Sequence, residues 1–412
     1  MIDLREQRFG LEFEFTGIER ADAAEIIADH FGTYYDCCGG SYDTHKIRDD
    51  QGRTWKVVYD SSISPYDTNG NYASSSYKCE LVSPICKYED IDTIQQILRK
   101  LRSGGARTNS SCGIHIHVDG ANHDARSIKN LVNIMASKED VLEKALDISP
   151  SRESTYCKKT DSRFLTALNE QRNPSMDKIK ELWYNGRTSA CLSHYDVSRY
   201  RMLNLHSFFG SHHTVEFRCF NSCNHAGKVK AYIQFCLAMS AQAINQRSSR
   251  YQPMDRTNDK YTFRTWMLRM HLIGDEFKTC RLHLLSNLEG TPDYKDREAA
   301  MERHRQMAYE LASRIERERQ NSSDPENFSI EQLPQHTTYE ENGQPIFSLR
   351  EQLDNFLESI NADNTITLSE RNQILSILTS KVNQNPVNAQ EQENGSDLQN
   401  TAPVVARNSR SR

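Results

Sequence analysis

Several hallmarks of whole protein classes are missing from this chain of 412 residues. It has no run of about 18 apolar residues, so the sequence predicts no transmembrane helix. Its opening residues, MIDLREQRFG, lack the apolar core of a secretory signal. It also lacks the G-x-x-x-x-G-K-[ST] and G-x-G-x-x-G motifs, which excludes P-loop and Rossmann nucleotide sites.

A basic surplus is missing as well. The 51 Lys and Arg residues are outnumbered by 56 Asp and Glu residues, and the formal net charge is -5. Binding to a nucleic-acid backbone or to an anionic membrane surface requires an excess of cations. We therefore predict that the protein binds neither nucleic acid nor membranes.

The 11 cysteines are odd in number and contain no C-x-x-C pair. Scattered free thiols are typical of a reducing compartment, so we predict a cytoplasmic protein. The adjacent Cys37 and Cys38 are interpreted as ordinary thiols. No second cysteine pair or nearby histidine pattern accompanies them to complete a zinc site.

Hydrophobic periodicity predicts about six strands, at 9–15, 54–60, 78–84, 113–119, 199–206 and 214–220. It predicts helices at 20–31, 88–102, 124–146, 161–184 and 226–246, with further helices over 262–320. Residues 32–53 are interpreted as a loop or irregular hairpin. Because single crossover helices seldom join the strands, we predict an α+β fold with an antiparallel sheet and flanking helices.

Four of the strand-like runs carry charged or metal-ligating residues two positions apart. The pairs are Glu12 and Glu14, His115 and His117, Arg199 and Arg201, and Glu216 and Arg218. Residues i and i+2 of a strand point to the same face, about 6.6 Å apart along the chain. We therefore predict one polar sheet face that can bind metal, which indicates an active site.

Asp60 and Glu80 add two more carboxylates at or near strands. Carboxylates with a histidine suit Mg²⁺ or Mn²⁺. Arginines beside such a cluster suit a bound phosphate or an anionic transition state. Phosphoryl transfer from ATP requires this combination, and the nucleotide would be held by metals and arginines.

Some of these residues have an ordinary structural interpretation. A lone strand histidine is usually a satisfied core or edge residue, but the H-x-H pair favours function. Asp60 belongs to D-S-S, which is also turn chemistry. His212 and His213 lie between two predicted strands and are interpreted as a hairpin loop.

The order of motifs along the chain resembles the amidoligase family. The motifs are F-G-x-E-x-E, D-x-S at 60–62, E-L-V-S-P at 80–84, C-G-I-H-I-H-V-D at 112–119, R-Y-R-x-x-N at 199–204 and T-V-E-F-R at 214–218. The resemblance covers roughly residues 8–285. That family is similar to glutamine synthetase and glutamate–cysteine ligase. One departure is FRCFNSC, which replaces a segment that usually contains glycine.

The resemblance implies a glutamine synthetase-like catalytic domain in which ATP phosphorylates a carboxylate and an amine attacks the acyl phosphate. It implies metal ligation by Glu12, Glu14, Asp60, Glu80, His115 and Glu216. Arg218, with Arg199 or Arg201, would clamp the γ-phosphate and the acyl phosphate. His117 would serve the nucleotide or the substrate, and the role of Asn204 stays open.

We predict three regions: an amidoligase-like catalytic domain at 8–290, a charged helical extension at 291–320 and a polar, largely disordered tail at 321–412. The tail retains two helical patterns, at 348–360 and 368–382. They are expected to dock on a partner or to mediate self-association.

The leading hypothesis is an ATP- and Mg²⁺-dependent carboxylate–amine ligase. Its two substrates would be a carboxylate and an amine, each a small molecule, a peptide or a protein side chain. One alternative is a metal-dependent hydrolase that uses the H-x-H motif. Another is a non-catalytic binding module of the same fold.

Overall fold

The computed structural model describes residues 1–325, 328–333, 338–339, 345–362 and 366–382. The chain divides into two compact units, Met1–Asp296 and Arg297–Arg412. Within the described residues, no helix is both long and apolar enough to cross a membrane.

The first unit is built on one sheet of eight strands, in which every neighbouring pair is antiparallel. The strands are β1 (Phe9–Phe15), β2 (Tyr35–Gly39), β3 (Thr44–Arg48), β4 (Thr54–Val58), β5 (Cys79–Val82), β6 (Gly113–Asp119), β7 (Leu203–Asn204) and β8 (Thr214–Asn221). Their order is β2-β3-β4-β5-β1-β6-β8-β7, so the first strand is central. The predicted α+β fold with an antiparallel sheet is confirmed.

Eleven helices of the first unit connect or cover these strands in its described residues. They are α1 (Arg20–Phe31), α2 (Ile91–Ser103), α3 (Ala125–Ala136), α4 (Glu139–Ala145), α5 (Pro150–Thr155), α6 (Ser162–Glu170), α7 (Met176–Trp183), α8 (His206–Phe209), α9 (Ala226–Asn245), α10 (Asp259–Arg269) and α11 (Lys278–Leu285). The structure contains the helix predicted at 20–31. The helices predicted at 124–146 and 161–184 are each divided into two shorter ones.

The sheet differs from the sequence-based expectation in two places. It has eight strands rather than about six, because 35–48 forms the β2–β3 hairpin. The strand predicted at 199–206 is confirmed only at Leu203–Asn204, and its part at 199–202 is wrong. Asp196 caps a 3₁₀ turn at Val197–Arg199, and only Leu203–Asn204 pairs with β8. Arg199 and Arg201 therefore do not share a strand face.

One face of the sheet is apolar and packs on helices. Phe9, Leu11, Phe13 and Phe15 of β1 are all buried on that face. Helices α1 and α9 pack on the sheet, and α2 packs on both helices. Alternation along the strands then leaves the intervening residues of β1, β5, β6 and β8 on the opposite face.

His123, just before α3, is a buried histidine that should make stability depend on pH. Its ring nitrogens lie 3.1 Å from Ser127 Oγ and 2.9 Å from Ser240 Oγ, and burial lowers its pKa to about 4. The unfolded chain binds the proton more readily. The contribution of His123 to the free energy of unfolding should therefore fall by about 3 kcal/mol as the pH drops from about 6.5 towards 4.

Urea unfolding of the wild type and of His123→Gln at pH 7 and pH 4.5 measures this contribution. The variant should be the less stable protein at pH 7 and should lose less stability on acidification. Equal losses in the two proteins would contradict the assignment.

The second unit contains α12 (Arg297–Gln320), the strands β9 (Thr338–Tyr339) and β10 (Pro345–Ile346), α13 (Leu349–Ala362) and α14 (Leu368–Val382). α12 packs on both α13 and α14 through a buried row that includes Ala308, Leu311 and Ile315. The two helical patterns predicted in the tail correspond to α13 and α14. The part of the predicted tail at 383–412 lies outside the described residues.

Candidate active site

The register of the four central strands gathers the predicted polar groups on one face. Glu14 of β1 lies opposite Glu80 of β5, and Glu12 lies opposite His115 of β6. His117 lies opposite Glu216 of β8, which in turn lies opposite Asn204 of β7. Between Ile114 and Ile116 the β6–β8 register shifts, so that Arg218 and Cys219 together oppose His115. This is a β-bulge, a feature that is common beside active sites.

Three overlapping groups on this face have ligand atoms within 4.8 Å of one another. The groups are Glu12, His117 and Glu216; Glu12, Glu80 and His115; and Glu14, Asp60 and Glu80. Hard carboxylate oxygens with an occasional imidazole suit Mg²⁺ or Mn²⁺. These donors therefore fit the divalent cations expected from the sequence, and Glu12 and Glu80 would bridge neighbouring sites.

The histidines are held by hydrogen bonds that orient their rings. His115 Nδ1 lies 2.9 Å from Glu12 Oε2 and forms a hydrogen bond with it. His117 Nε2 lies within ion-pair distance of Glu12 Oε1, at 3.2 Å, but makes no hydrogen bond with any described residue. His117 Nδ1 lies 2.9 Å from Thr214 Oγ1. This contact directs the opposite nitrogen towards the carboxylates, as partners of metal-ligating histidines commonly do.

The carboxylates of the face differ in the direction of their pKa shifts. Burial, followed by the charges of nearby Glu12 and Glu14, raises the pKa of Glu80 well above its usual value. Burial also acts to raise the pKa of Glu12, but His117 and His115 outweigh it and hold that pKa well below its usual range. Glu80 is thus the carboxylate whose ionisation most needs a bound cation.

Arg218 and Glu216 form a buried ion pair at the other end of the face. Burial opposes ionisation of Glu216, but Arg218 and the two histidines lower its pKa to about 2. Asn204 Nδ2 donates to the second carboxylate oxygen of Glu216 at 2.6 Å. The Arg218 guanidinium lies 6.0 Å from the Tyr200 ring centre, and its Nε is buried without a partner.

The sequence left Arg199 and Arg201 as alternatives for binding the phosphate groups, and the structure distinguishes between them. Arg199 lies over the rings of Tyr195 and Tyr200, each at 5.7 Å, and lines the candidate site. Arg201 instead donates to the Lys159 carbonyl at 2.8 Å and pairs with Asp161 at 3.3 Å. The residues around the site do not include Arg201.

Two cavities flank the row of carboxylates. The β8 cavity, about 480 Å³, is lined by His117, Asn204 and Glu216 among others. The β5 cavity, about 460 Å³, is lined by Glu14, Asp60 and Glu80 among others. Both cavities share four residues, Glu12, His194, Arg199 and His212. A larger cavity of about 1110 Å³ lies against α3 and α6 and contains none of the predicted site residues.

The sequence did not indicate several residues of the site. Tyr200, Tyr156 and Arg152 line the β5 cavity from irregular segments or a short helix, where no strand periodicity marks them. His212, interpreted from the sequence as part of a hairpin loop, lines both cavities, and its ring centre is 6.5 Å from that of His117.

The fold and the site together define an α+β protein whose antiparallel sheet presents a carboxylate–histidine face beside a buried arginine. The family model described as an amidoligase enzyme matches residues 5–240. The chain therefore belongs to the amidoligase family and is, at this coarse level, a ligase.

No curated protein matches the chain. Among solved structures, it is similar to the crystal structure of a bifunctional glutathione synthetase from Pasteurella multocida, with 12% identity and a TM-score of 0.29. The similarity covers 92% of this chain and 52% of that one, so the chain spans about half the length of that structure.

Proposed function

We propose that the protein is an ATP- and Mg²⁺-dependent ligase that joins a carboxylate to an amine through an acyl phosphate. The main support is the set of three overlapping ligand groups on one sheet face, with the buried Arg218 beside them. Within this proposal, the sheet corresponds to the catalytic sheet of glutamine synthetase.

The carboxylates and histidines of the face would hold the metals. The proposed ligands are Glu12, Glu14, Asp60, Glu80, His115 and Glu216. When bound, Mg²⁺, or Mn²⁺ in its place, would neutralise the phosphate oxygens of ATP. Thr214, by binding His117 Nδ1, keeps that ring facing the β8 cavity, where His117 would complete the group of Glu12 and Glu216 or contact the nucleotide.

The arginines would act on the charge of the transferred phosphoryl group. A substrate carboxylate oxygen attacks the γ-phosphorus, the bond to the β-phosphate oxygen breaks and ADP leaves. The amine nitrogen then attacks the acyl carbon, phosphate leaves with the bonding electron pair, and the proton lost by the nitrogen passes to the departing phosphate. Arg218 and Arg199 line the β5 cavity, where their guanidinium groups can stabilise the anionic oxygens of both steps.

Release of ADP and phosphate tests this proposal. The full-length protein, with ATP, Mg²⁺ and mixtures of candidate carboxylates and amines, should release ADP only when both substrate types are present. Mass spectrometry of cell-extract reactions should then reveal new amides that depend on ATP. Hydrolysis of amides or esters without ATP would contradict the ligase and support a metal-dependent hydrolase. Failure to bind ATP with Mg²⁺ would leave only a binding module.

The second unit should be dispensable for turnover. The matched family region and all residues of the proposed site lie within Met1–Asp296, so deletion of 297–412 should leave kcat within about twofold. Deletion from residue 321 should instead remove the packing partners of α12, expose Leu311 and Ile315, and promote aggregation. Steady-state kinetics and gel filtration of both truncations check this, and loss of activity in the 297–412 deletion would contradict it.

Two further expectations also stand as proposals. A cytoplasmic location agrees with the free cysteines, since none of the 11 forms a disulfide. Docking of a partner, or self-association, through the second unit would be measured by comparing the masses of the full chain and of the 297–412 deletion in solution.

A further inference from the structure

Arg152 lines the β5 cavity together with Glu14, Asp60 and Glu80, yet none of the steps proposed above uses it. It lies on the short helix α5, and only 3% of the residue is exposed. A guanidinium keeps its charge at any physiological pH, so this position holds a permanent buried cation.

The buried arginines of the described residues differ in their partners. Arg20, Arg218 and Arg319 are each within ion-pair distance of a carboxylate, those of Asp43, Glu216 and Glu316. No carboxylate in the described part of the chain lies within that distance of Arg152. Its Nε is buried without a partner, and Nη2 reaches only the Phe220 carbonyl, at 3.5 Å.

Within the described residues no carboxylate forms an ion pair with this guanidinium, although Glu14, Asp60 and Glu80 line the same cavity. Cys112, Cys157 and Cys219 lie in its surroundings, and burial raises the pKa of each thiol, for Cys112 to about 11. All three are therefore neutral at physiological pH. Gly113 leaves room for the cation, because a Cβ there would lie 2.4 Å from Arg152 Nη2 and 2.9 Å from Nη1.

Two tyrosine rings connect Arg152 to Arg218 along the cavity wall. The Arg152 guanidinium lies 5.9 Å from the Tyr156 ring centre, Tyr156 lies 6.2 Å from Tyr200, and Tyr200 lies 6.0 Å from the Arg218 guanidinium. The rings hold the two cations apart within one cavity. A ligand in that cavity could therefore contact both.

We propose that Arg152 binds a second, non-reacting carboxylate of the substrate whose first carboxylate is activated beside Glu14, Asp60 and Glu80. This rests on the proposed ligase function and narrows it: the carboxylate substrate is a dicarboxylate or carries an equivalent second carboxylate. An uncompensated buried charge is costly, and a bidentate carboxylate offsets that cost when it binds. The same contact discriminates against substrates with a single carboxylate, which leave the guanidinium unpaired.

Binding to the full-length protein in the presence of Mg²⁺ and ADP tests the proposal. The probes are dicarboxylates from succinate to suberate and monocarboxylates of the same chain lengths, titrated by calorimetry. At the best chain length, the wild type should bind the dicarboxylate about 30-fold or more tightly than its monocarboxylate counterpart. Arg152→Met should abolish this preference without lowering the melting temperature of the ligand-free protein, because the arginine has no ion-pair partner to lose.

Arg20→Met is the matched control, since Arg20 is equally buried but pairs with Asp43 and donates to the Ser75 and Lys78 carbonyls. This variant should melt at a lower temperature and keep the preference for dicarboxylates. Equal binding of the two carboxylate classes by the wild type would overturn the proposal, as would a preference that survives in Arg152→Met. So would an absence of binding by every dicarboxylate.

ADP release separates this inference from the ligase proposal. With ATP, Mg²⁺ and hydroxylamine as the amine, the wild type should turn over the preferred dicarboxylate and not its monocarboxylate counterpart. If dicarboxylates bind through Arg152 but ADP is never released, the ligase function fails and the carboxylate site stands. If monocarboxylates support ADP release equally well, the ligase stands and the role of Arg152 is refuted.

Discussion

Glu80→Gln is expected to raise the melting temperature of the protein without metal. With Mg²⁺ present, the same change should reduce turnover by about 10³-fold, the scale of losing one charge-stabilising group. Glu80 lies directly opposite Glu14, and Asp60 is close enough to share a ligand group with both. Removing one of two like charges that face each other across strands relieves roughly 1 kcal/mol of repulsion. In a unit of this size, Met1–Asp296, that amounts to about 1–2 °C in melting temperature.

The increase in melting temperature caused by Glu80→Gln should depend on pH. Burial and neighbouring carboxylates raise the pKa of Glu80 in the folded protein. In the unfolded chain Glu80 therefore loses its proton at a lower pH than in the folded protein. Above the usual glutamate pKa, the contribution of Glu80 to the stability of the wild type falls as the pH rises towards the pKa that Glu80 has in the folded protein. Glutamine has no proton to lose, so the advantage of the variant should grow between pH 5 and pH 8.

Thermal melts with EDTA and with Mg²⁺, at both pH values, measure the change. Mg²⁺ should stabilise the wild type and have little effect on Glu80→Gln, because a metal ligand has been removed. Glu25→Gln, an exposed change on α1, is the control and should behave as the wild type in every condition. A variant that melts below the wild type in EDTA but retains turnover would identify Glu80 as structural.

Arg218→Lys should preserve the fold and lose about 10³-fold in turnover, since arginines that stabilise phosphoryl transfer contribute that much or more. Lysine keeps a positive charge near Glu216 but cannot present the planar fork of a guanidinium. Arg218→Met should behave differently, because it leaves Glu216 buried without its ion-pair partner. We expect that variant to lose about 3–5 kcal/mol in free energy of unfolding.

Steady-state kinetics and urea unfolding of the two variants distinguish these effects. In Arg218→Lys, kcat should fall much more than KM for ATP rises, as expected for a group that acts in the transition state. Unchanged kcat in Arg218→Lys would show that charge alone suffices at this position. Wild-type stability in Arg218→Met would show that groups other than Arg218 stabilise the buried charge of Glu216.

Strand periodicity predicted the centre of the site well. Because side chains alternate along a strand, the two-residue spacings placed Glu12 and Glu14, and likewise His115 and His117, on one face, where the structure locates them. The same rule placed Glu216 and Arg218 together, since the β6–β8 register is regular through Phe217 and the two side chains form an ion pair.

The periphery of the site could not be predicted, because it is built from irregular segments. The rule of alternation failed for Arg199 and Arg201, since a capped 3₁₀ turn replaces the expected strand. Arg152 is brought to the cavity by a short helix, and its burial depends on Gly113 of a distant strand. Tertiary contacts of this kind leave no local pattern in a sequence.

The central position of β1 has a consequence for how the protein is made. The neighbours of β1 in the sheet are β5 and β6, and the ligand groups around Glu12 also require Glu216 of β8. A nascent chain on the ribosome cannot complete this cluster until more than 200 residues after Glu12 have been synthesised. Strands that are far apart in the sequence pair slowly, because the entropy cost of closing the loop arises before the contacts that offset it have formed. The carboxylates of β1 and β5 therefore remain without Arg218 until β8 has been synthesised, and divalent cations should accelerate the final step of folding.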